Sequence, residues 1–400
     1  MLASAAAYYK SSVVHSLREG LAAPTEDDNA GGEFSLRPAS PSDNDDLVVL
    51  AAKCPMQADV SLLIERAPDF FALALARGQG WTLVAHAPSG PERRPEIVGC
   101  VSVARRQVWT HGRPRDVAFV ADLRVAPSHR GQGLAQALLD AVAAGEAQDP
   151  AVAYVAATAT GNAAVDGVVR RFGLGCPLSP IATMIGWQLL PMYRLRLPRG
   201  LEFGCAEERD RSEMVALLDE FGRGRALAPV FGQGTFEDFL ARSPGMTLSD
   251  HLVARRRGSL VAVLGAWDAK QVKQTRVTGM PRALRTIVGV SRAAGLVLPL
   301  PRLPRVGERL AARYLRHFAH APGEEAALAA LLRVAVNEAR TRRDHFALIA
   351  FGAEDPLQRC LAGIPRLRYH YQLVAGVLRS GEDPVDALGP GPFHDDAALA

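Results

Sequence analysis

The sequence contains very little lysine. Only four of its 46 basic residues are lysine and the other 42 are arginine, a bias typical of GC-rich coding sequence rather than of a binding surface. The basic residues are scattered and nearly balanced by 42 acidic ones, which leaves a formal net charge of +4. The arginine bias predicts a bacterial protein. Because there is no basic face or tail, we also predict that the protein does not bind nucleic acid.

Cysteine pairs and long apolar runs are also missing. The five cysteines are dispersed without C-x-x-C spacing, at Cys54, Cys100, Cys176, Cys205 and Cys360. An odd, dispersed set fits reduced, buried thiols in a cytoplasm. No run of about 18 uncharged apolar residues occurs, and residues 1–20 lack a signal-peptide core. These absences predict a cytoplasmic protein that does not associate with a membrane.

Length and helix-breaking residues predict two domains. A 400-residue chain with 48% hydrophobic residues can bury more than one core. Pro191, Pro198 and Gly200 predict a boundary near residue 198. The predicted organisation is a flexible segment at 1–33, a first domain at 34–198, a second domain at 199–378 with an insertion at 269–310, and a C-terminal tail at 379–400.

The spacing of apolar residues predicts the elements of the first domain. A short strand precedes two helices, three strands form an antiparallel meander, and a helix, a strand and a helix follow, at 34–38, 47–52, 60–77, 81–86, 96–108, 116–127, 133–144, 152–159 and 162–172. This order predicts an α/β fold with a mixed, mostly antiparallel sheet and helices on both faces.

The second half repeats this order in weaker form. The segments "LRVAPSHRGQGLAQALLDAVAAGE" (123–146) and "LRHFAHAPGEEAALAALLRVAVNEA" (315–339) share their apolar pattern but not their glycines. The likeness predicts an internal duplication, and hence two similar domains in tandem. Glu324 and Glu325 stand where the first copy has its glycines, and carboxylates there would repel a phosphate. We therefore expect the second copy to bind none.

One turn of the first domain has the composition of an anion site. In "VAPSHRGQGLAQALL" (125–139) a strand end and a turn lead into a helix, with glycines at 131 and 133. The first N–H groups of a helix are unpaired and carry about half a positive charge. Glycine lets the main chain approach a ligand, and Arg130 adds a cation. A pyrophosphate would match this turn.

Two common phosphate loops do not fit the turn. No lysine follows the glycines, as a P-loop requires, and Gln136 stands at the third glycine of a dinucleotide fingerprint. The pattern that does fit is R-x-x-G-x-A, from Arg130 to Ala135, directly after the strand "DLRVAP". It resembles the acyl-CoA-binding motif of the GCN5-related N-acetyltransferase (GNAT) family. The resemblance covers about residues 34–197 in element order, with support from "ATGNAAVDGVVRRFGL".

The resemblance implies acetyl-CoA as co-substrate and no metal. It implies that backbone amides of the turn hold the pyrophosphate, at Arg130, Gly131, Gln132, Gly133, Leu134 and Ala135. Main-chain groups of Leu123, Arg124 and Val125 would hold the pantetheine arm. Asn162 would touch the same arm, or would serve only as a helix N-cap.

The resemblance also implies a base, because the attacking amine must be neutral and an alkylammonium has a pKa of about 10. Asp122 stands where the family often has a carboxylate that acts through water; the alternative is an ion pair with Arg124 on the same strand face. Val169 replaces the family's usual tyrosine acid, so no general acid is assigned. Tyr154 and Tyr193 are expected to pack in the core.

Together these features predict an N-acetyltransferase in which an amine of a small-molecule or peptide acceptor attacks acetyl-CoA directly, in a cleft between the halves. The alternative is a non-catalytic acyl-CoA sensor or interaction module, which Val169 and the altered second copy favour. The acceptor and the formation of a homo-oligomer stay open.

Two further patterns are interpreted as structural. His317 and His320 are three residues apart on a predicted strand and point to opposite faces, which argues against a zinc site with Glu324. The apolar, arginine-bearing segment 285–307 is predicted to fill space between the domains, because its prolines interrupt a membrane-surface helix.

Overall fold

The computed structural model describes residues 34–56, 60–87, 96–147, 149–160, 167, 177–294, 303–378 and 382–399. The strands are β1 (Ser35–Pro38), β2 (Ser61–Glu65), β3 (Gln79–His86), β4 (Ile97–Thr110), β5 (Arg113–Val125), β6 (Tyr154–Ala159), β7 (Ser179–Leu189), β8 (Glu202–Cys205), β9 (His251–Arg256), β10 (Ser259–Trp267), β11 (Gln274–Gly279), β12 (Ala312–His320), β13 (Phe346–Gly352) and β14 (Arg366–Gly376). The helices are α1 (Asn44–Ala52), α2 (Phe71–Arg77), α3 (Leu134–Glu146), α4 (Arg211–Arg223), α5 (Gln233–Ala241), α6 (Arg282–Ala294), α7 (Glu325–Arg342) and α8 (Pro384–Leu388).

One twelve-stranded sheet runs through both halves, in the order β1-β3-β4-β5-β6-β14-β7-β13-β12-β10-β9-β8. The pairs β5–β6 and β12–β13 are parallel and the other neighbours are antiparallel. Strand β4 is buried along almost its whole length and contacts α1, α2 and α3. The predicted α/β fold with a mostly antiparallel sheet flanked by helices is confirmed.

The two halves exchange a strand at the centre of this sheet. Strand β14, from the end of the chain, pairs with β6 and with β7, and β7 pairs in turn with β13. The sequence predicts a separate sheet on each side of residue 198, whereas the structure has one continuous sheet. Strand pairing between distant segments leaves no local sequence signal, so the exchange was not predictable.

The strand order nevertheless repeats from the two edges of the sheet inward. The series β1-β3-β4-β5-β6 is matched by β8-β9-β10-β12-β13, and each ends in the parallel pair. Helices α3 and α7 follow β5 and β12, the fourth strand of each series. This arrangement agrees in element order with an internal duplication, which itself stays a prediction.

Residues 60–77 are not the single helix that the apolar pattern predicts. Ser61–Glu65 forms β2, which pairs with β11 from the predicted insertion, for example at Ile64 and Thr275. Only Phe71–Arg77 is helical. The leucine-rich run Ser61–Glu65 is extended because it pairs with a strand more than 200 residues away in the chain. Tertiary pairing thus overrides the local apolar pattern.

The end of the chain does not form a detached tail. Residues 382–399 pack against the body of the molecule, and Ala397, Ala398 and Leu399 are buried. Arg77 donates from Nε to the carbonyl oxygen of Leu399 at 2.7 Å. The C-terminal segment is therefore part of the central core.

Helix α6 does not fill the space between the halves along its whole surface. Ile287 and Val290 expose 57% and 64% of their areas, while Val288 is buried. The prediction for 285–307 is wrong for this exposed face, and residues 295–302 of the segment lie outside the described residues. No helix among the described residues has both the length and the apolar character needed to span a bilayer.

Candidate active site

Strand β5 carries a β-bulge just before its end. Cys100 on β4 pairs with Arg124, but Ser102 pairs with Ala121, so two residues of β5 oppose one residue of β4. Asp122, the first of these two residues, has a φ of 53°. A bulge of this kind bends the strand and changes the direction of its backbone groups.

The parallel pairing of β5 with β6 ends before the bulge. It covers Ala118 with Tyr154 and Phe119 with Val155, while β6 stays paired with β14 as far as Ala159. In the described part of the chain, the last residues of β5 are thus paired with β4 alone.

The glycine-bearing turn follows the bulged strand directly. Gly131 and Gly133 both have a φ of 78°, a conformation that favours glycine, and a Cβ added at either would meet no atom within 4 Å. Gly133 is the N-cap of α3 and has no side-chain cap hydrogen bond. The backbone bond from Ala137 N–H to Gly133 O is 3.0 Å long. The start of the helix thus has no side-chain cap in the described part of the chain; the binding of a ligand there stays a prediction.

Close packing orients this helix. Leu134 and Leu138 are buried against β4, and a Cβ at Gly99 would lie 3.1 Å and 3.2 Å from their side chains. A larger residue at position 99 would push α3 away from the sheet. The glycine on β4 thus holds the start of α3 beside the end of β5.

Asp122 is the centre of a buried ion cluster. Its carboxylate is 2.6 Å from Arg66 Nη1, 2.5 Å from Arg77 Nη1 and 3.2 Å from Arg124 Nη2, and its side chain is 3% exposed. Burial would raise the pKa of Asp122, but the three guanidinium charges outweigh burial and hold the pKa well below its usual value.

The predicted ion pair with Arg124 is therefore present, and two further arginines were missed. Arg66 follows β2 and Arg77 ends α2, 56 and 45 residues before Asp122 in the chain. No local pattern could have associated them with Asp122. A carboxylate held by three guanidinium groups is a poor proton acceptor, so the cluster weakens the prediction that Asp122 is the base.

Lys273 is a second titratable residue that the sequence did not identify. It is 6% exposed, and its Nζ lies 3.4 Å from the carbonyl oxygen of Ala397 and 4.5 Å from the centre of the Tyr314 ring. Burial lowers the pKa of Lys273 to about 7, and the nearby charge of Arg77 acts in the same direction.

Two thiols contact the carbonyl groups of β5. Cys100 Sγ donates to Asp122 O at 3.4 Å, and Cys54 Sγ donates to Val125 O at 3.5 Å. Burial raises the pKa of Cys100 to about 12. The expectation of buried thiols holds for Cys100 and for Cys360, whereas Cys205 is exposed; Cys176 lies outside the described residues.

The tyrosines considered for proton donation differ in environment. Tyr154 is fully buried, accepts a hydrogen bond from Ala151 N–H at 3.1 Å and donates one to Glu146 Oε2 at 3.3 Å. It packs in the core as expected. Tyr193 is 54% exposed, so the same expectation is wrong for it. Asn162, expected to touch the pantetheine arm, and Val169, which replaces the family's tyrosine acid, lie outside the described residues.

The histidines of the second half do not assemble a metal site with Glu324. His317 is buried and contacts His251, with 3.1 Å between Nδ1 and Nε2. Glu324 is bound to Arg256 by two hydrogen bonds of 2.8 Å and 2.9 Å. No group of three or more candidate metal ligands occurs within the described ranges.

The sheet, its bulged strand and its flanking helices define a fold of the N-acyltransferase class. Residues 61–174 match the model of the acetyltransferase (GNAT) family. The matched region is under a third of the chain, and it includes the bulge and the glycine-bearing turn.

Solved structures of similar fold cover most of the chain. A glucosamine N-acetyltransferase region of a fungal multi-domain β-N-acetylglucosaminidase aligns with 87% of this chain at a TM-score of 0.58 and 15% identity, but this chain spans only 38% of that one. N-myristoyltransferase of Saccharomyces cerevisiae with bound myristoyl-CoA gives a TM-score of 0.59 at 12% identity, over 89% of this chain and 87% of that one.

A GNAT protein from Sphaerobacter thermophilus aligns over 88% of this chain and 97% of that one, with a TM-score of 0.52 and 14% identity. At these identities the likeness shows the fold alone. No curated protein matches the sequence.

Proposed function

We propose that the protein is an acyl-CoA-dependent N-acyltransferase, with acetyl-CoA as the simplest donor and an amine as the acceptor. The supporting observation is the open, glycine-bearing start of α3 placed directly after a bulged strand that has separated from its parallel neighbour. Both features lie within the region that matches the GNAT family.

The donor would lie along the end of β5. Its pyrophosphate would accept hydrogen bonds from the main chain of residues 130–135, and the exposed Arg130 would add charge-assisted bonds of about 1.5–3 kcal/mol each. The pantetheine arm would enter between β5 and β6. Since Val125 O already accepts from Cys54 Sγ and Arg130 Nε, Leu123 and Arg124 are the stronger candidates to hold the arm.

The reaction would proceed by direct attack. The amine nitrogen bonds to the thioester carbonyl carbon, the carbonyl oxygen becomes negative, and the carbon–sulfur bond then breaks to release the CoA thiolate. The proton lost by the amine passes through solvent to that thiolate, whose pKa near 8.5 makes it a fair leaving group. Three arginines around one carboxylate leave positive charge beside the bulge, which would stabilise the negative oxygen.

Asp122 would then act as a positioning residue. Its sequence-based role as the base remains untested, but its carboxylate is engaged by guanidinium groups at 2.5 Å and 2.6 Å. We assign to it the task of holding Arg66, Arg77 and Arg124 in one arrangement beside the thioester.

A non-catalytic acyl-CoA sensor is the second candidate. The same cluster favours this function. The carboxylate of Asp122 stands where the family often has its base, but it is engaged by three arginines. Such a protein would bind CoA through the start of α3 without transferring the acyl group.

One assay separates the two candidates. The protein is incubated with acetyl-CoA and with longer acyl-CoA donors against a panel of small amines, lysine side chains and peptide N-termini, and thiol release is followed. Acceptor-dependent thiol release supports the enzyme. Saturable CoA binding by calorimetry without release on any acceptor supports the sensor, and absence of CoA binding contradicts both.

A further inference from the structure

A cavity of about 270 Å³ lies between the first half of the sheet and α5 of the second half. Its walls include Arg105 and Arg106 from β4, Asp116 from β5, and Phe239 and Arg242 at the end of α5. Asp116 precedes Asp122 by six residues, which is about 20 Å along an extended strand. The cavity is therefore separate from the start of α3.

Arg106 brings to this cavity a buried cation that forms no ion pair among the described residues. The residue is 9% exposed, its Cζ lies 4.0 Å from the centre of the Phe119 ring, and its buried Nε has no hydrogen-bond partner within the described residues. Burial lowers the pKa of Arg106 to about 10. An unpaired buried cation is costly, so its retention calls for a ligand.

The two aspartates whose charges act on Arg106 are engaged elsewhere. Asp396 is bound to Arg316 at 2.7 Å, and Asp395 accepts a hydrogen bond of 2.6 Å from the hydroxyl of Tyr371. Their charges act on Arg106 from a distance, but neither forms an ion pair with it in the part of the chain that the structure describes.

Arg242 repeats this arrangement on the opposite wall. Its guanidinium lies 5.4 Å from the centre of the Phe239 ring, and its buried Nε has no partner among the described residues. Arg105, in the same cavity, differs because it binds Glu146 through Nε at 3.0 Å and Asp149 through Nη1 at 2.9 Å. Unpaired guanidinium groups are thus a property of Arg106 and Arg242 and not of every arginine at the cavity.

The charges are arranged by depth. The carboxylates that line the cavity are on exposed residues, at Asp116, Asp149 and Asp238. Arg106 is buried and Arg242 is half-buried, so the positive groups lie deeper and solvent screens the negative ones more strongly.

We propose that this cavity is a binding site for a small carboxylate or phosphate ligand, held between the guanidinium groups of Arg106 and Arg242. Stacking on Phe119 and Phe239 holds both planar groups in place, which favours the bidentate recognition of such anions. The volume suits a small molecule. The anion is either the acidic group of the acceptor or a separate effector.

The test is a calorimetric titration with inorganic phosphate and with succinate at constant ionic strength. CoA is kept at saturation to occupy the start of α3; if CoA does not bind, the same titration is run on Gly133→Glu. The wild-type protein should bind at least one of the two anions saturably. Arg106→Gln and Arg242→Gln should each weaken binding tenfold or more, as expected for a lost charge-assisted hydrogen bond.

Arg209→Gln is the control, because its side chain is 75% exposed and does not line the cavity, and it should bind as the wild type does. If Arg106→Gln does not fold, the anion affinity of Arg242→Gln alone decides the test. Absence of saturable binding in the wild type, or unchanged affinity in Arg242→Gln, would overturn the proposal. Loss of CoA binding in Gly133→Glu concerns the proposed function alone.

The transfer assay then distinguishes the two sources of the anion. Inhibition by the bound anion that is competitive with the acceptor assigns the cavity to the acceptor's acidic group. A change in rate that acceptor concentration does not reverse assigns it to a separate effector.

Discussion

The bulge of β5 and the bulge of β12 are the same backbone feature with different surroundings. On β12, Val263 of β10 pairs with Ala319 and Gly265 with Arg316, so the register shifts by one residue as it does at Asp122. His317, the residue that corresponds to Asp122, has a φ of 48°. Each bulge is followed by Ala-Pro and then by a turn into a helix.

The turns after the two bulges differ in what they offer to a ligand. In the first half, Gly131 and Gly133 leave the start of α3 open. In the second half, Gly323 keeps a φ of 76°, but Glu324 is the N-cap of α7 and pairs with Arg256. A carboxylate already stands where the first half would receive a phosphate.

Asp122 and His317, the first residues of the two bulges, also have different surroundings. Asp122 is surrounded by charges, whereas His317 packs against aromatic rings with centroids 5.2–6.3 Å away, those of Phe231, Phe236, Phe239 and His251. The same backbone bulge thus supports a cluster of charges in one half and a cluster of aromatic rings in the other. Side chains, not strand order, decide which half could bind an anionic cofactor.

The largest expected effect is on CoA binding at the first turn. Gly133→Glu should abolish CoA binding, because it places a carboxylate at the open helix start and a side chain at a φ of 78°. Gly323→Glu is the matched control, since Gly323 has a similar φ and equally open space in the second half. Calorimetry should show wild-type affinity for that control; equal losses in both would remove the distinction between the turns.

The next effect is on stability. Asp122→Asn should lower the free energy of unfolding by about 3–5 kcal/mol, because it leaves three buried guanidinium groups without their carboxylate. His317→Asn at the other bulge removes one hydrogen bond to His251 and the contacts of the ring with its aromatic neighbours, and should cost about 2 kcal/mol. Urea unfolding at pH 7 measures both, and similar losses would show that the arginine cluster contributes little.

The two bulges should also respond differently to acid. Burial lowers the pKa of His251 to about 4, and burial with the charge of Arg316 holds the pKa of His317 well below its usual value. Below pH 6.5 the unfolded chain therefore binds protons that the folded chain does not, and stability falls from pH 6.5 towards pH 4.

His317→Phe should flatten this decline, because it removes one of the two imidazoles. Asp122 adds to the decline only below about pH 5, where the unfolded carboxyl, with a pKa of about 3.9, begins to bind protons that the folded carboxyl does not. Urea unfolding at pH 7, 6 and 5 tests the expectation, and parallel curves for the variant and the wild type would refute it.

The smallest effect is expected at the second turn. Glu324→Gln breaks an ion pair with Arg256 whose side chains are 20% and 41% exposed, so the unfolding midpoint should stay near that of the wild type. CoA binding should not increase at this turn, because it has the single glycine Gly323 where the first turn has Gly131 and Gly133. A second CoA site in calorimetry of Glu324→Gln would mean that this carboxylate alone blocks the turn.

The alignment of the two halves was only partly readable from the sequence. Matching the apolar pattern aligns Leu123 with Leu315, whereas the bulges align Leu123 with Phe318. The pattern reports which residues are apolar, but an extra residue in a strand shifts the register without changing composition. The Ala-Pro dipeptide that follows each bulge aligns the two halves as the bulges do.

The sequence alone determined the open turn from Arg130 to Ala135, because its glycines and its strand-to-helix context are local and dictate the backbone there. Tertiary structure decided the exchange of β7 and β14, the approach of Arg66 and Arg77 to Asp122, and the cavity between Arg106 and Arg242. These depend on contacts between residues 45 or more positions apart, which chain folding brings together and no local pattern records.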